Sequence, residues 1–512
     1  MDQGDKARAC LASIVVPPLI AWFATAKLVY GFDKTDARVV VPYLIKHTFD
    51  LWPLWVAPIV GSVLGLSAFI AFIKLSKKQF AGADYKKHYR GTELVSSNKL
   101  ASVTKENKGR QITVAGIPVP FKAEETHFAI CGATGVGKST IMREMMFCAL
   151  KRKDRMVILD LDGEFLRTFF KEGDKMLNVY DKRTEGWSFF NEIRQKYDFK
   201  RFAKSIIGVS KDANAEEWNN YARQLFIGVA QKLYTTERNV SMRDVYAWTN
   251  ESDIEDLREF TKGTEAAGIF SGTEKNVDNV RFTLSNKLGA HLDMPNGDFS
   301  LREWLEDDKG GNLFITFTED QREASKSLIS AWTDIIFQAM LSLPTDRNRR
   351  IWTFADEIES LDYLPSLNDV LTKGRKKGAR VVDGFQTYSQ LVNVYGEQMA
   401  ETLLGNHRSV VAMAVGRFGE TTAEKVSKAL GTMDVERDKR SDSGKFGERR
   451  SNSRNDEIKN ERAVLPSELM QLPDLEGYVS FPGDLPVAKF KTHHVEYTRR
   501  NPVINFIPRE DI

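Results

Sequence analysis

The sequence predicts a mixed α/β fold that is interrupted by an inserted all-α domain and preceded by a two-helix transmembrane anchor. Three observations predict it. Two long apolar runs lie near the start of the chain, a glycine-rich loop separates an apolar strand from a helix, and helical periodicity replaces strand signals over residues 187–300. We therefore expect an anchor over residues 1–78, an α/β domain in two parts over 79–186 and 301–512, and the insertion between those parts.

Composition places the chain among ordinary globular proteins. It has 512 residues, of which 42% are hydrophobic and 28% charged, so disordered and fibrous classes are excluded. Since 73 basic and 70 acidic side chains leave a net charge of +3, the overall charge indicates neither a nucleic-acid nor a membrane partner. The three cysteines show no C-x-x-C spacing, which excludes a disulfide framework and favours a reducing compartment.

The apolar runs predict the anchor. Residues 51–73 carry no charge and are long enough to cross a hydrocarbon core, which takes about 20 residues. Residues 11–30 form a weaker second span that contains two prolines and Lys27. A signal peptide and a buried helical hairpin are the alternatives, and we favour a retained anchor because no clear cleavage site follows the first run.

Basic residues cluster outside the two runs, which predicts cytoplasmic N- and C-termini and a short periplasmic loop between the spans. They are Lys6, Arg8, Lys74, Lys77, Lys78, Lys86, Lys87 and Arg90.

The loop after the first predicted strand of the α/β domain matches G-x-x-x-x-G-K-[ST]. An apolar strand over residues 127–131 precedes it and a helix follows from Ile141, which is the context that a P-loop requires. Glycines there allow successive N–H groups to point at phosphate oxygens, and the helix N-terminus adds positive charge. The predicted nucleotide-binding residues are Gly132, Ala133, Thr134, Gly135, Val136, Gly137, Lys138, Ser139 and Thr140.

An acidic pair supplies the second half of the predicted site. The apolar strand over residues 349–355 ends in Asp356 and Glu357. Asp356, together with the hydroxyl of Ser139, is the candidate Mg²⁺ ligand, and Glu357 is the candidate base for the attacking water. An earlier acidic turn around Asp160 is a second Walker B candidate, which we interpret as a structural turn at a strand end.

Two further residues complete the predicted catalytic set. Gln386 ends the apolar strand over residues 380–386, where strand ends face the nucleotide, and is a candidate γ-phosphate sensor. Arg375, in the basic loop before that strand, is a candidate arginine finger for a neighbouring subunit, with a solvated loop as the alternative. The motifs N-K-x-D, L-S-G-G-Q and H-E-x-x-H are absent, which leaves a RecA-like P-loop NTPase.

The remaining segments carry structural expectations. Apolar residues recur at helical spacing over residues 216–234, as in the core of an all-α domain. Residues 436–462 are nearly free of apolar side chains and are expected to form a mobile loop. Proline and glycine punctuation over residues 464–490 predicts short strands that close the sheet.

Taken together, these motifs resemble the type IV secretion coupling proteins of the TrwB/TraD type, the inner-membrane ATPases of bacterial conjugation. The resemblance rests on the two spans, GIPVPF before GATGVGKST, WTFADE, GFQTYSQLVNVYG and VLPSELMQLPDLEGYVSFPG. It implies a hexameric, DNA-stimulated ATPase that uses ATP and Mg²⁺ and transfers single-stranded DNA, with double-stranded DNA as a second candidate. It also implies relaxase, relaxosome and secretion-channel partners, and it assigns the roles above to Lys138, Ser139, Asp356, Glu357, Gln386 and Arg375.

Two other functions stay open from the sequence. One is a duplex-DNA translocase of the FtsK/HerA type, against which the number of spans and the helical insertion argue. The other is a substrate receptor in which ATP only stabilises assembly. Glu357 argues against the receptor, because a site that only binds nucleotide needs no base for water.

Overall fold

The chain forms two units, Met1–Phe80 and Ala81–Ile512, in this computed structural model. The structure describes residues 3–31, 37–76, 87–107, 109–237, 239–443, 451–497 and 503–510. Within these ranges, it does not describe the side chains of residues 3–15, 69–76, 437–443 and 451–457.

The first unit consists of helices α1 (Gln3–Tyr30), α2 (Ala37–Lys46) and α3 (Trp52–Ser76). Its small core contains Trp22, Ala26, Leu44 and Leu54, whereas many other apolar side chains of these helices are exposed. Within the described residues, none of the helices combines the length and the apolar character needed to cross a membrane.

The second unit is built on a ten-stranded sheet with the strand order β2-β15-β14-β11-β5-β10-β9-β6-β8-β7. The strands from β11 to β7 are parallel, so their carboxyl ends lie at one edge, and β14 and β15 extend the sheet with antiparallel pairing. The prediction of short closing strands in the C-terminal segment is confirmed. The strands of the chain are β1 (Lys87–Gly91), β2 (Leu94–Ser96), β3 (Thr113–Val114), β4 (Ile117–Pro118), β5 (Phe128–Cys131), β6 (Arg155–Leu161), β7 (Lys175–Leu177), β8 (Leu313–Phe317), β9 (Ile351–Ala355), β10 (Ala379–Phe385), β11 (Ser409–Met413), β12 (Thr432–Ser443), β13 (Ser451–Arg462), β14 (Glu476–Ser480) and β15 (Val487–Lys491).

Helices cover both faces of this sheet. The α-helices of the second unit are α4 (Ser97–Thr104), α5 (Phe121–Glu124), α6 (Lys138–Arg152), α7 (Glu164–Phe169), α8 (Lys196–Ile206), α9 (Ala213–Thr236), α10 (Met242–Tyr246), α11 (Ile254–Phe260), α12 (Glu274–Asp293), α13 (Leu301–Glu306), α14 (Arg322–Ser342), α15 (Leu367–Lys373), α16 (Tyr388–Tyr395), α17 (Glu397–Asn406), α18 (Glu420–Leu430) and α19 (Pro466–Leu469). Short 3₁₀ segments lie at Phe189–Glu192, Glu265–Ser271, Ile358–Ser360 and Gly374–Lys377, and a π-helical turn lies at Ala247–Glu251.

Strand β9 shows why the sheet is the middle layer. Its side chains alternate between two cores, because Ile351 and Ala355 belong to one cluster and Trp352 and Phe354 to the other. A strand that is apolar on both faces has to be covered on both, as is usual in parallel sheets. The predicted mixed α/β fold is confirmed.

Residues 187–300 lie between β7 and β8, and their described part contains helices and no named strand. The two ends of the segment meet, since Trp187 and Phe299 form an isolated parallel bridge. The beginning and the end of this helical segment therefore lie side by side.

The charged segment predicted as a mobile loop differs in the structure. β12 and β13 pair as an antiparallel hairpin from Thr432 opposite Arg462 to Ser443 opposite Ser451, and β1 pairs with β12. Residues 444–450 lie outside the described residues. These strands were not predicted because residues 436–462 are nearly free of apolar side chains, and the ladder is held by backbone hydrogen bonds, which do not require alternating apolar side chains.

Candidate nucleotide-binding and hydrolysis site

The glycine-rich loop joins β5 to α6 at the carboxyl edge of the sheet. The Gly132 N–H donates to the Phe385 carbonyl at 3.3 Å, and the Ala133 N–H donates to the Ala414 carbonyl at 2.8 Å. The loop is thus fixed to the ends of both strands that flank β5. Gly137 begins α6 with φ of 108°, a conformation that favours glycine. The loop then delivers the N-terminus of α6, an anion-binding element, to this edge.

Lys138 is buried at the start of α6, with 6% of its surface exposed. Its Nζ donates to the carbonyls of Gly132 at 2.9 Å and Ala133 at 3.1 Å. The ammonium group is therefore held against the loop, where its charge can act on a bound phosphate.

Ser139 and Asp356 meet although they are 217 residues apart in the chain. The Ser139 hydroxyl donates to Asp356 Oδ2 at 2.5 Å. Burial raises the pKa of Asp356, against the opposing influence of the Ser139 hydrogen bond and the Lys138 charge. Within the described residues, the other carboxylate oxygen, Oδ1, is buried and has no hydrogen-bond partner.

This pair fits a magnesium ion. Mg²⁺ is usually held by one or two carboxylates together with substrate phosphates rather than by an all-protein cage. The described residues contain no group of three or more His, Cys, Asp or Glu side chains arranged to hold a metal. A buried carboxylate oxygen without a partner, beside a serine hydroxyl, supplies the hard oxygen donors that this ion prefers.

Gln386 connects the loop to the acidic pair. Its side-chain Oε1 accepts from the Thr134 hydroxyl at 3.1 Å, and its Nε2 donates to Glu357. The candidate sensor and the candidate base are therefore in direct contact at the edge predicted from the sequence. The end of β10 can lie this close to the acidic pair because residue 384 is a glycine. A Cβ at that position would overlap the carbonyl oxygen of Asp356.

Glu359 also belongs to this site, and the sequence analysis missed it. Its Oε1 accepts from the Gln386 backbone N–H at 2.8 Å, and burial raises its pKa to about 7. The available signal was a third acidic residue in FADEIES, two positions after Glu357. This signal did not identify Glu359 as a site residue, because its carboxylate is directed back toward β10 only by the 3₁₀ turn at Ile358–Ser360.

Arg375 does not lie near the other predicted site residues. It occupies the 3₁₀ segment Gly374–Lys377, which precedes β10, whereas the nucleotide loop follows the carboxyl end of the parallel strand β5. Its Nε donates to Glu125 Oε2 at 2.8 Å. The residue is therefore at the amino edge of the sheet, on the side away from the nucleotide loop.

The earlier acidic turn has a structural role in this fold. The Asp160 carboxylate is buried and accepts from the backbone N–H groups of Phe165 at 3.0 Å and Leu166 at 2.6 Å. Burial raises the pKa of Asp160 to about 7 in spite of these bonds. The carboxylate thus caps the N-terminus of α7, in agreement with the interpretation of this segment as a structural turn at a strand end.

Comparison with known proteins identifies the family. Residues 111–493 match the type IV secretion-system coupling protein DNA-binding domain. The coupling protein TraD of Escherichia coli strain K12 is 30% identical over 495 residues, covering 91% of this chain and 66% of TraD. A VirD4 coupling protein of Bartonella henselae is 23% identical over 325 residues, covering 58% of this chain and 48% of its own length.

Solved structures give the same result. The unbound bacterial conjugative coupling protein TrwBdeltaN70 superposes with a TM-score of 0.79 at 45% identity, covering 85% of this chain and all of that one. The plasmid coupling protein TrwB in complex with ADP and Mg²⁺ gives a TM-score of 0.78 at 45% identity, covering 84% of this chain and 100% of that chain. The present chain spans less than two thirds of the length of its curated relatives. The match over three quarters of the sequence nevertheless shows that the chain belongs to the family of type IV secretion-system coupling proteins.

Proposed function

We propose that this protein is an inner-membrane coupling ATPase of bacterial conjugation. It recruits a DNA–protein substrate, the relaxosome, to a type IV secretion channel and drives transfer of single-stranded DNA by ATP hydrolysis. One observation carries the proposal: Gln386 bridges Thr134 of the nucleotide loop and Glu357 of the acidic pair. A site that only binds nucleotide has no need to bring a base and a sensor side chain to the loop.

In this proposal, residues 132–140 bind the phosphates of ATP. Lys138 provides positive charge at the β- and γ-phosphates, and the N-terminus of α6 adds to it. Ser139 and Asp356 hold Mg²⁺, which, when bound, neutralises charge on the β- and γ-phosphate oxygens. The solved relative with ADP and Mg²⁺ supports this choice of ligands.

Glu357 and Gln386 act on the attacking water. Glu357 accepts a proton from that water as its oxygen bonds to the γ-phosphorus and the bond to the β–γ bridging oxygen breaks. The products are ADP and inorganic phosphate. Gln386 orients the water and senses the γ-phosphate, because its amide already contacts both the loop and the base.

Arg375 completes the site from a neighbouring subunit, and the protein acts as a homohexamer. This assignment draws support from the position of Arg375 at the amino edge of its own sheet, where it pairs with Glu125 and faces away from its own nucleotide loop. An arginine supplied in trans stabilises charge in the transition state of phosphoryl transfer.

The membrane and substrate parts are proposed from the sequence and the family. Two spans within residues 1–78 anchor the protein with both termini in the cytoplasm and a short periplasmic loop between them. Residues 187–300 form an all-α domain inserted into a RecA-like nucleotide-binding domain over 79–186 and 301–512. Partners are a relaxase with its relaxosome, channel components and single-stranded DNA, with double-stranded DNA as a further substrate.

The test is ATP turnover by the full-length chain in lipid nanodiscs, with and without single-stranded or duplex DNA, at stated salt. We expect turnover that single-stranded DNA stimulates and that Lys138→Ala abolishes together with DNA transfer. Stimulation by duplex DNA alone would favour the FtsK/HerA-type translocase. Loss of hydrolysis with retained transfer would favour the receptor, and full activity of Lys138→Ala would refute the motor.

A further inference from the structure

We propose that Glu359 is a positioning residue for ATP hydrolysis: it holds the backbone of Gln386 so that the Gln386 side chain spans the nucleotide loop and Glu357. This inference rests on the function proposed above and adds a residue that the motifs do not contain. It concerns the hydrogen bond between the turn after β9 and the end of β10.

The turn that carries Glu359 is rigidly connected to the base. Glu357 begins the 3₁₀ segment Ile358–Ser360. The Ser360 backbone N–H donates to the Glu357 carbonyl at 3.0 Å, and the Ser360 hydroxyl donates to the same oxygen at 2.7 Å. The base and Glu359 therefore lie on one hydrogen-bonded turn.

The Gln386 N–H follows the last residue of β10 and needs a partner there. The preceding residue, Phe385, pairs with Cys131 of β5 and accepts from the Gly132 N–H, so one side of this strand end is fixed to the nucleotide loop. Glu359 Oε1 accepts the Gln386 N–H at 2.8 Å and fixes the other side. The backbone of Gln386 is thus held between the loop and the acidic turn, which leaves its side chain directed toward both.

The chemistry of Glu359 indicates that its carboxylate serves more than packing. It is 9% exposed, and among the described residues its Oε2 is buried without a hydrogen-bond partner. Burial and the neighbouring charge of Glu357 raise its pKa, while the Gln386 N–H and the Lys138 charge lower it. A buried acid beside another acid is costly to keep, and an apolar residue would pack there without that cost.

The experiment compares the variants Glu359→Gln and Glu359→Ala in the full-length protein, with Asp362→Ala as the matched control. Glu359→Gln keeps an oxygen that can accept the Gln386 N–H, whereas Glu359→Ala removes it. Asp362 lies three residues further along the same segment, and its carboxylate forms ion pairs with Lys287 and Lys326 outside the site. DNA-stimulated turnover gives kcat and KM for ATP, and hydrogen exchange follows the Gln386 amide.

We expect Glu359→Ala to lower kcat by about 10- to 100-fold with little change in KM, because a lost positioning contact acts on the transition state rather than on binding. Glu359→Gln should recover kcat to within a few-fold, and Asp362→Ala should match the wild type. The Gln386 amide should exchange faster in Glu359→Ala alone. In the Gln386→Ala background, Glu359→Ala should cost nothing further, because the two residues act as one unit.

Three outcomes would overturn the role of Glu359. They are equal kcat in Glu359→Ala and wild type, an equal loss in Glu359→Gln and Glu359→Ala, and an additive loss in the Gln386→Ala background. These differ from failure of the proposed function, which would appear as wild-type hydrolysis that Lys138→Ala does not reduce.

Discussion

Gly384→Ala tests the geometry that joins β10 to the acidic pair. An added Cβ at residue 384 would overlap the backbone carbonyl oxygen of Asp356 and lie 2.8 Å from Met142 Cε. The methionine side chain can move, but the carbonyl oxygen belongs to the residue directly after Ala355, the end of β9, which is paired on both sides. The substitution should therefore push Asp356 away from Ser139 rather than be absorbed by a side chain.

The size of the effect follows from the overlap. Adding one methyl group to a packed core typically costs about 1–3 kcal/mol. Because the strain falls on the residue that meets Ser139, a displacement on the order of 1 Å should lower kcat by roughly 100-fold. Gly384→Ala should thus lower both thermal stability and ATP turnover, and turnover by more than the loss of stability explains.

The control is Gly289→Ala in α12. A Cβ at that position meets nothing within 4 Å, and alanine is favoured over glycine in a helix interior by about 1 kcal/mol. This variant should melt at an equal or slightly higher temperature and keep its turnover. Scanning fluorimetry and a coupled ATPase assay on the full-length protein measure both quantities. A Gly384→Ala protein with wild-type melting temperature and turnover would refute the reasoning.

Three further predictions concern burial, pH and assembly. Arg152→Ala should destabilise the protein by at most about 3–5 kcal/mol, because it removes the closest partner of the buried Glu124 carboxylate, at 2.6 Å, and leaves Arg350 and Arg380 at 3.8 and 3.9 Å. Thermal unfolding measures this loss. The pKa of Glu359 is raised from 4.5 to about 7 in the folded state, so its ionisation lowers stability as pH rises through that window. The free energy of unfolding of Glu359→Gln, relative to that of the wild type, should therefore be higher at pH 8 than at pH 4 by about 3 kcal/mol, and an equal difference at both pH values would contradict the raised pKa. Mixtures of Arg375→Ala and Glu357→Gln subunits should regain part of the turnover that each variant lacks alone, whereas no recovery at any ratio would count against a finger in trans.

The nucleotide loop could be predicted from the sequence because its signal is local. Strand, loop and helix follow one another within residues 128–152, and each part has its own pattern. The acidic pair was also predictable, since two carboxylates after a fully apolar strand end at the same edge as the loop in a parallel sheet. The contact between Ser139 and Asp356, 217 residues apart, follows from that rule alone.

Other features depend on geometry that the sequence does not display. Glu359 reaches Gln386 only because a 3₁₀ turn follows the base, and turns of this length have weak sequence signals. In β12 and β13 the sequence from residue 436 to 462 is nearly free of apolar side chains, so no alternation of apolar residues marks most of the hairpin. Composition alone therefore predicted a loop where the backbone pairs with itself.

The parallel sheet constrains how the site can be completed. β10 has seven residues, and a strand rises about 3.3 Å per residue, so its two ends lie roughly 20 Å apart. Arg375 precedes one end of β10 and Gln386 follows the other. The distance between them is longer than an extended arginine side chain. No rotamer of Arg375 can bring its guanidinium to the nucleotide loop of its own subunit. If Arg375 takes part in hydrolysis, it acts on a neighbour, and turnover per subunit must then rise with protein concentration until the subunits are assembled.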